Sequence, residues 1–323
     1  MGSLGSDGIT ILGTTSYVDD LGYLHVFGEV RNDGINSQNY VKITSTFYDS
    51  QDVVVTTDFA YTILNIIQYG KSIPFEVVVN EKNIVPQISS YSMQVSSRDA
   101  SYEVPNLTIL SNSSYVDGLG YLHVPGEIRN DNQQCQDYVK IAGTFYGSDV
   151  VFVEFTYTEI DLLTPGQFSP FELVVSEDTI IPNIHDFLLQ AESCSEDKWP
   201  YVGEGSLKIR TNSSYTDGLG YLHIVGEVEN KGQLTAEWVK VVSTYYNEQD
   251  TVIGTSYAYA DPKTISPGGM SPFEVVFSDT GFVPTINSYA LGIDTRTTIQ
   301  ESFVLITCIS SLVLVVCRWK IQQ

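Results

Sequence analysis

Three of the four histidines, His25, His123 and His223, each follow an acidic turn: Asp19 and Asp20, Asp117, and Asp217. An imidazole beside a carboxylate is raw material for general-base chemistry or metal ligation. Zinc needs three or four converging ligands, and calcium needs six or more oxygens. One histidine and one or two carboxylates per site fall short. Asp19, Asp20, Asp117 and Asp217 are therefore weak metal candidates, better explained as turn aspartates beside an exposed strand histidine. A short side chain before glycine, as in Asp117 and Asp217, tolerates left-handed backbone and bonds neighbouring amides. Calcium held by loops at a domain junction is the cation that the acidity admits.

Other chemistries fare no better. No G-x-S-x-G elbow is present, and no cysteine sits by a turn with a paired histidine, so a hydrolytic triad is not supported. Glu29, Glu127 and Glu227 each follow a glycine on a strand, but glycoside hydrolysis needs two carboxylates across one cleft. Gly118-Leu-Gly120 joins two strands and does not open a helix, so it is no dinucleotide fingerprint. The expectation is a chain that is not an enzyme, without catalytic residues or cofactor.

These residues recur because the sequence does. The block Asn112-Ser-Ser-Tyr-Val-Asp-Gly-Leu-Gly-Tyr-Leu-His-Val124 returns from Asn212 to Ile224 and, more loosely, from Thr14 to Val26. A spacing of about 100 residues is the size of a small domain, not of a solenoid unit. Three tandem domains are expected at 7–98, 105–195 and 206–297. The linkers at 99–105 and 196–205 are short and Pro-bearing, which makes the array semi-rigid.

Within each copy the apolar residues alternate with period two. Leu24, Val26 and Val30 alternate with His25, Phe27, Glu29 and Arg31. Val41, Ile43 and Phe47 alternate with Lys42, Thr44 and Thr46. Phe75, Val77 and Val79 alternate with Glu76 and Val78. This is the mark of half-buried antiparallel strands. Six or seven short strands per hundred residues, with turns about every ten, predict an all-β fold of antiparallel β-sandwiches. The histidines then lie on the face opposite Leu24 and Val26.

The net charge of −23, from 39 acidic and 16 basic side chains, is spread along the chain. Such a field repels nucleic acid and anionic headgroups. The low charged fraction of 17% and the abundance of Tyr, Ser, Thr and Asn fit a secreted or surface protein.

The order of motifs resembles the FxLYD-type immunoglobulin-like domains of archaeal and bacterial surface proteins. Gly28-Glu-Val-Arg-Asn32, Gly126-Glu-Ile-Arg-Asn130 and Gly226-Glu-Val-Glu-Asn230 carry the likeness, with Ser169-Pro-Phe-Glu172 and Ser271-Pro-Phe-Glu274. The naming motif is degraded: Ser45-Thr-Phe-Tyr-Asp49 keeps its last two letters, and Tyr146 and Tyr246 keep the tyrosine. The first copy also lacks Pro-Gly, reading Gln68-Tyr-Gly70. The resemblance implies three immunoglobulin-like extracellular modules without a defined activity.

Features outside the strands point the same way. From Phe303 to Cys317 the chain holds no charge, and Arg318-Trp-Lys320 follows. Fifteen helical residues span about 23 Å, and snorkelling Arg318 and Lys320 with an interfacial Trp319 close much of the gap to a ~30 Å core. A C-terminal hydrophobic helix at 302–320 is expected to be a membrane anchor that keeps the domains outside. Met1-Gly-Ser-Leu-Gly-Ser lacks the basic and apolar regions of a signal peptide. Targeting then falls to the tail or to a segment upstream of Met1. Asn106, Asn112 and Asn212 fit the N-glycosylation pattern. Cys135 and Cys194 occur together in the second copy alone, which hints at a disulfide. Six intervening strands would bring them to one end of the sandwich, and seven to opposite ends. Tyr23, Tyr121, Tyr221, Tyr40 and Tyr138 lie on expected outer faces, material for protein or glycan contacts.

The function expected is structural or adhesive, on the outer face of a prokaryotic, archaeal, cell membrane, with other surface proteins or glycans as partners. The alternatives are a secreted carbohydrate- or protein-binding module and a calcium-stiffened adhesin.

Overall fold

A computed structural model describes residues 8–101, 104–195 and 206–296; the second linker and the 302–320 segment lie outside the described residues. The first repeat forms β1 (Ile9–Val18), β2 (Leu24–Asn32), β3 (Gln38–Tyr48), β4 (Val54–Tyr61), β5 (Ile66–Ile67), β6 (Ser72–Val79) and β7 (Ser90–Asp99). The second forms β8 (Leu107–Asn112), β9 (Tyr115–Val116), β10 (Leu122–Asn130), β11 (Gln136–Tyr146), β12 (Val150–Tyr157), β13 (Leu162–Leu163), β14 (Phe168–Val175) and β15 (Asp186–Ser195). The third forms β16 (Leu207–Thr216), β17 (Leu222–Asn230), β18 (Glu237–Tyr246), β19 (Val252–Tyr259), β20 (Met270–Phe277) and β21 (Ser288–Arg296). The fold is all-β, with antiparallel pairing throughout. No helix among the described residues is long and apolar enough to cross a membrane.

Each repeat contributes two sheets. In the first, β1-β2-β6 faces a sheet in which β3 pairs with β4, β5 and β7. The alternation explains the choice of faces. Leu24, Val26 and Val30 of β2 meet Val41, Ile43 and Phe47 of β3 in one buried cluster with Phe75, Val77 and Val79. The same arrangement recurs as β8-β10-β14 over β12-β11-β15, and as β16-β17-β20 over β19-β18-β21.

The repeated motifs have structural reasons. Gly28, Gly126 and Gly226 lie under the rings of Phe75, Phe171 and Phe273, where an added Cβ would come within 2.6, 2.4 and 2.6 Å of the ring carbon Cζ. The glycine of the G-E-x-x-N segment and the phenylalanine of S-P-F-E are thus two halves of one contact. Asn32, Asn130 and Asn230 are fully buried. Asn130 donates from Nδ2 to Gln134 O (2.9 Å) and Leu163 O (2.8 Å), and its Oδ1 accepts from Asn132 N (2.9 Å). Each such amide ties three backbone groups, one of them a buried carbonyl that would otherwise be left unpaired. Gly70 has φ +72°, beside +78° at Gly166 and +74° at Gly268, so this turn needs its glycine, and the proline missing from the first copy is dispensable.

The repeats pack directly on one another. Phe27 of β2 belongs to the buried cluster of the second repeat, Ala142 to that of the first, and Val242 to that of the second. The outer face of β1-β2-β6 is covered by β12 and the outer face of its sheet. The β8-β10-β14 face is covered in the same way by β19 and its sheet.

Candidate functional site

The histidines stand on the outer face, as the alternation predicts, at the centre of a three-residue cluster. His25 Nδ1 lies 2.6 Å from Glu76 Oε1 on the neighbouring β6, and Nε2 lies 3.3 Å from Asp19 Oδ2 in the preceding turn. His123 meets Glu172 at 3.0 Å and Asp117 at 3.3 Å. His223 meets Glu274 at 2.9 Å and Asp217 at 3.3 Å. A tyrosine stacks on each ring: Tyr17, Tyr115 and Tyr215, with centroids 5.0, 4.8 and 4.8 Å away.

Two carboxylates flanking one ring favour the doubly protonated imidazolium, which has no lone pair left for base work or metal ligation. The hydrogen bond to Glu76 raises the His25 pKa against the opposing effect of burial, with Asp19 adding to the rise. Glu172 acts in the same way on His123. In each copy the cluster pins the turn, β2 or its counterpart, and β6 or its counterpart at one point.

The aspartates are engaged twice. Asp117 Oδ1 accepts from Leu119 N and Tyr121 N, both at 2.9 Å, and Asp217 repeats the pattern with Leu219 and Tyr221. Burial works the other way, but these amides and the imidazole hold both carboxyls below their usual range. One expectation needs correcting. The left-handed residue of these turns is Gly120 or Gly220, with φ +92° and +89°, and the aspartate acts only as acceptor. Asp19 accepts from Tyr23 N at 2.7 Å, while Asp20 is exposed and joins no such cluster. Among the described residues no group of three or more His, Cys, Asp or Glu is arranged to hold a metal ion.

Glu29 and Glu127 form a feature that the strand pattern did not disclose. Both are only 7% exposed, although they sit on the outer face, because the next repeat lies on them. Tyr146 Oη donates to Glu29 Oε1 at 2.9 Å, and Tyr246 Oη donates to Glu127 Oε1 at 2.7 Å. Burial pushes both carboxyls up, and the tyrosine bond pulls them back. Around the first lock, Lys140 Nζ donates to Ile63 O (3.2 Å), Gln190 Nε2 to Ser72 O (2.8 Å) and Asn65 Nδ2 to Glu192 Oε1 (2.7 Å). The Phe27 and Phe152 rings meet at 5.2 Å. Around the second, Lys240 Nζ lies 3.9 Å from Glu159 Oε2, Ser113 Oγ donates to Val252 O at 2.7 Å, and Phe282 packs on Tyr115 at 4.0 Å. The sequence carried a signal for these junctions: Phe27 is a large apolar residue on the nominally polar face.

A second surface is aromatic and exposed. Tyr40, Tyr138 and Trp238 adopt φ +49°, +48° and +53° where β3, β11 and β18 shift register against β7, β15 and β21. Two residues there oppose one, a β-bulge that re-aims the ring to solvent. Beside them stand the edge-to-face pairs Phe59–Tyr61, Phe155–Tyr157 and Tyr257–Tyr259. Lys42, Lys140 and Lys240 lie over Phe59, Phe155 and Tyr257, respectively. In the second repeat a depression of about 530 Å³ opens between Tyr138, Tyr157, Asp137 and Asp161. Of the expected surface tyrosines, Tyr40, Tyr138 and Tyr121 are exposed, while Tyr23 and Tyr221 are half-buried. Trp238, the third member of the bulge set, escapes a search confined to tyrosine.

Asn106, Asn112 and Asn212 are all exposed, and Asn212 Oδ1 accepts from Tyr289 Oη at 2.8 Å. The β11–β15 pairing sets Cys194 opposite Asp137, so Cys135, in the loop just before β11, and Cys194, on β15, lie at one end of one sheet. Cys135 is a half-buried free thiol, and the side chain of Cys194 lies outside the described residues.

No protein-family model matches the chain, and no curated protein matches it. A solved structure with some likeness is the crystal structure of red sea bream transglutaminase. The TM-score is 0.20 at 10% identity, covering 58% of this chain and 29% of that one, a likeness too slight to carry any inference about activity.

Proposed function

We propose that this chain is a non-enzymatic structural or adhesive protein of the cell exterior, in which three immunoglobulin-like sandwiches are stacked into a stalk. The observation that carries this reading is the junction built twice from the same parts. Tyr146 on Glu29 and Tyr246 on Glu127 fix successive repeats face to face. A chain selected for one catalytic cleft has no need to repeat such a lock, whereas a spacer does. The FxLYD-type motifs and the uncharged run before Arg318 support display outside a membrane, with the tail as anchor.

The test is fractionation of cells expressing the full chain or a form lacking residues 302–323, with a membrane-impermeant amine reagent added to intact cells. The full chain should sediment with membranes and be labelled, and the truncated form should not sediment with them. A full chain that stays soluble and unlabelled refutes the proposal.

The aromatic bulges favour a second reading, a binding module for glycan or protein ligands. Rings at Tyr138 and Tyr157 around one depression are the kind of platform on which a sugar face stacks. Glycan-array binding that is lost in Tyr138→Ala and Tyr157→Ala would establish it, and an array without signal would remove it.

A further inference from the structure

We propose that copies of this chain join head to tail, the outer β16-β17-β20 face of one receiving the outer β3-β4-β7 face of the next. The inference goes beyond the stalk reading and rests on continuity with the two junctions inside the chain. Those junctions use one donor face and one acceptor face, and among the described residues each end of the stack leaves one of these uncovered.

The acceptor face of the third repeat keeps its parts. Glu227 is the counterpart of Glu29 and Glu127, and its side chain is 45% exposed with Arg210 Nη1 at 3.8 Å. Pro272 is exposed where Pro74 and Pro170 are buried. Val225 stands where Phe27 and Pro125 are covered. At the other end, Tyr48 is the counterpart of Tyr146 and Tyr246, with its hydroxyl 3.1 Å from Ser92 Oγ. Val54 is 54% exposed, while its counterparts Val150 and Val252 are 4% and 0% exposed.

The charges are complementary at one definable point. Lys140 and Lys240 each reach across a junction, to Ile63 O and to Glu159. Ile63 N, Glu159 N and Asp261 N all bond the proline carbonyl of the adjoining strand, so Asp261 holds that place in the third repeat. Asp261 is exposed. Lys42 is the counterpart lysine, and Ser96 stands where Glu192 and Asp294 flank the other two. Lys42 Nζ rests 3.8 Å over the Phe59 ring. A copy seated on the third repeat brings Lys42 to Asp261 and Tyr48 to Glu227.

Two different faces meet in such a contact, so it is heterologous and generates an open row, not a closed dimer. Thr44 and Thr57 replace Ala142 and Val153 on the donor face. The joint between copies is therefore less apolar than the joints within a copy, and it depends on concentration.

Sedimentation velocity of the full chain in mild non-ionic detergent, over a concentration series, tests the proposal. The wild type should pass from monomer to dimer and longer species. Lys42→Glu and Asp261→Lys should each weaken association by about tenfold or more, because each places like charges together. The double variant should restore it. Tyr48→Phe, a milder change, should weaken association while leaving the circular dichroism of the monomer unaltered. A wild type that stays monomeric throughout, association indifferent to the single variants, or a double variant that does not recover overturns the proposal.

Discussion

Removing one hydroxyl, in Tyr146→Phe, tests the junction at its most exacting point. The ring and its packing stay, and only the donor to Glu29 Oε1 at 2.9 Å is lost. Glu29 is 7% exposed, so its carboxylate cannot recover a full hydration shell. A hydrogen bond to a charged group contributes about 1.5–3 kcal/mol. The lower end applies, because burial already raises the Glu29 pKa and protonation offers partial relief. We expect a loss of about 1.5 kcal/mol at neutral pH in the opening free energy of β2 and β11, read by native-state hydrogen exchange. A raised carboxyl pKa contributes stability that is complete below the unfolded value and is lost as pH rises through the folded value. Loss of the donor raises the folded pKa further, so the penalty should be larger at pH 7 than at pH 4. The chain supplies its own controls. Tyr246→Phe should behave alike, while Tyr48→Phe, at dilutions where copies are separate, should cost under about 0.5 kcal/mol. A double-mutant cycle with Glu29→Gln should return a coupling of about 1 kcal/mol or more. Equal effects at Tyr146 and Tyr48, or a coupling near zero, would refute the lock.

Three further expectations can be checked on the same protein. Gly126→Ala sets a methyl 2.4 Å from Phe171 Cζ and should cost about 1–3 kcal/mol in thermal melts, whereas Gly118→Ala, with nothing within 4 Å, should be near neutral. Asn130→Ala removes the partners of one buried carbonyl, one loop carbonyl and one loop amide and should destabilise by about 2–3 kcal/mol in urea titration. His123, its pKa raised by Glu172, should titrate above the usual histidine value in NMR. Its contribution to stability is complete below pH ~6.5 and falls away as pH rises through the folded value, so His123→Gln should flatten the melting curve's pH dependence on the alkaline side. A midpoint at or below 6.5 would remove the ion-pair account.

Alternation made the sandwich sheets legible, because burial on one face imposes a strict period on the residues that face inward. It placed His25, His123 and His223 correctly on the outer face. It could not find their partners, because Glu76, Glu172 and Glu274 arrive from a strand some fifty residues away, and register is a property of the folded sheet. It also misjudged what an outer face is. Glu29 and Phe27 look solvent-facing within one repeat and are buried only when a second repeat is laid on the first. The bulges at Tyr40, Tyr138 and Trp238 left no trace in the pattern, since one added residue merely inverts the phase for a short stretch. The glycine and asparagine of the G-E-x-x-N segment were visible as letters, but their reasons, a phenyl ring overhead and three backbone groups gathered around one buried amide, are tertiary.

The sameness of the two junctions has an evolutionary corollary. The face that the first repeat offers to the second matches the one that the second offers to the third, and the β18-β19-β21 face of the third repeat corresponds to the face that the second repeat lays on the first. A gene losing its middle third would therefore still encode surfaces that mate, and a gene duplicating it would need no new ones. The number of stacked repeats becomes a quantity that recombination can adjust in whole steps.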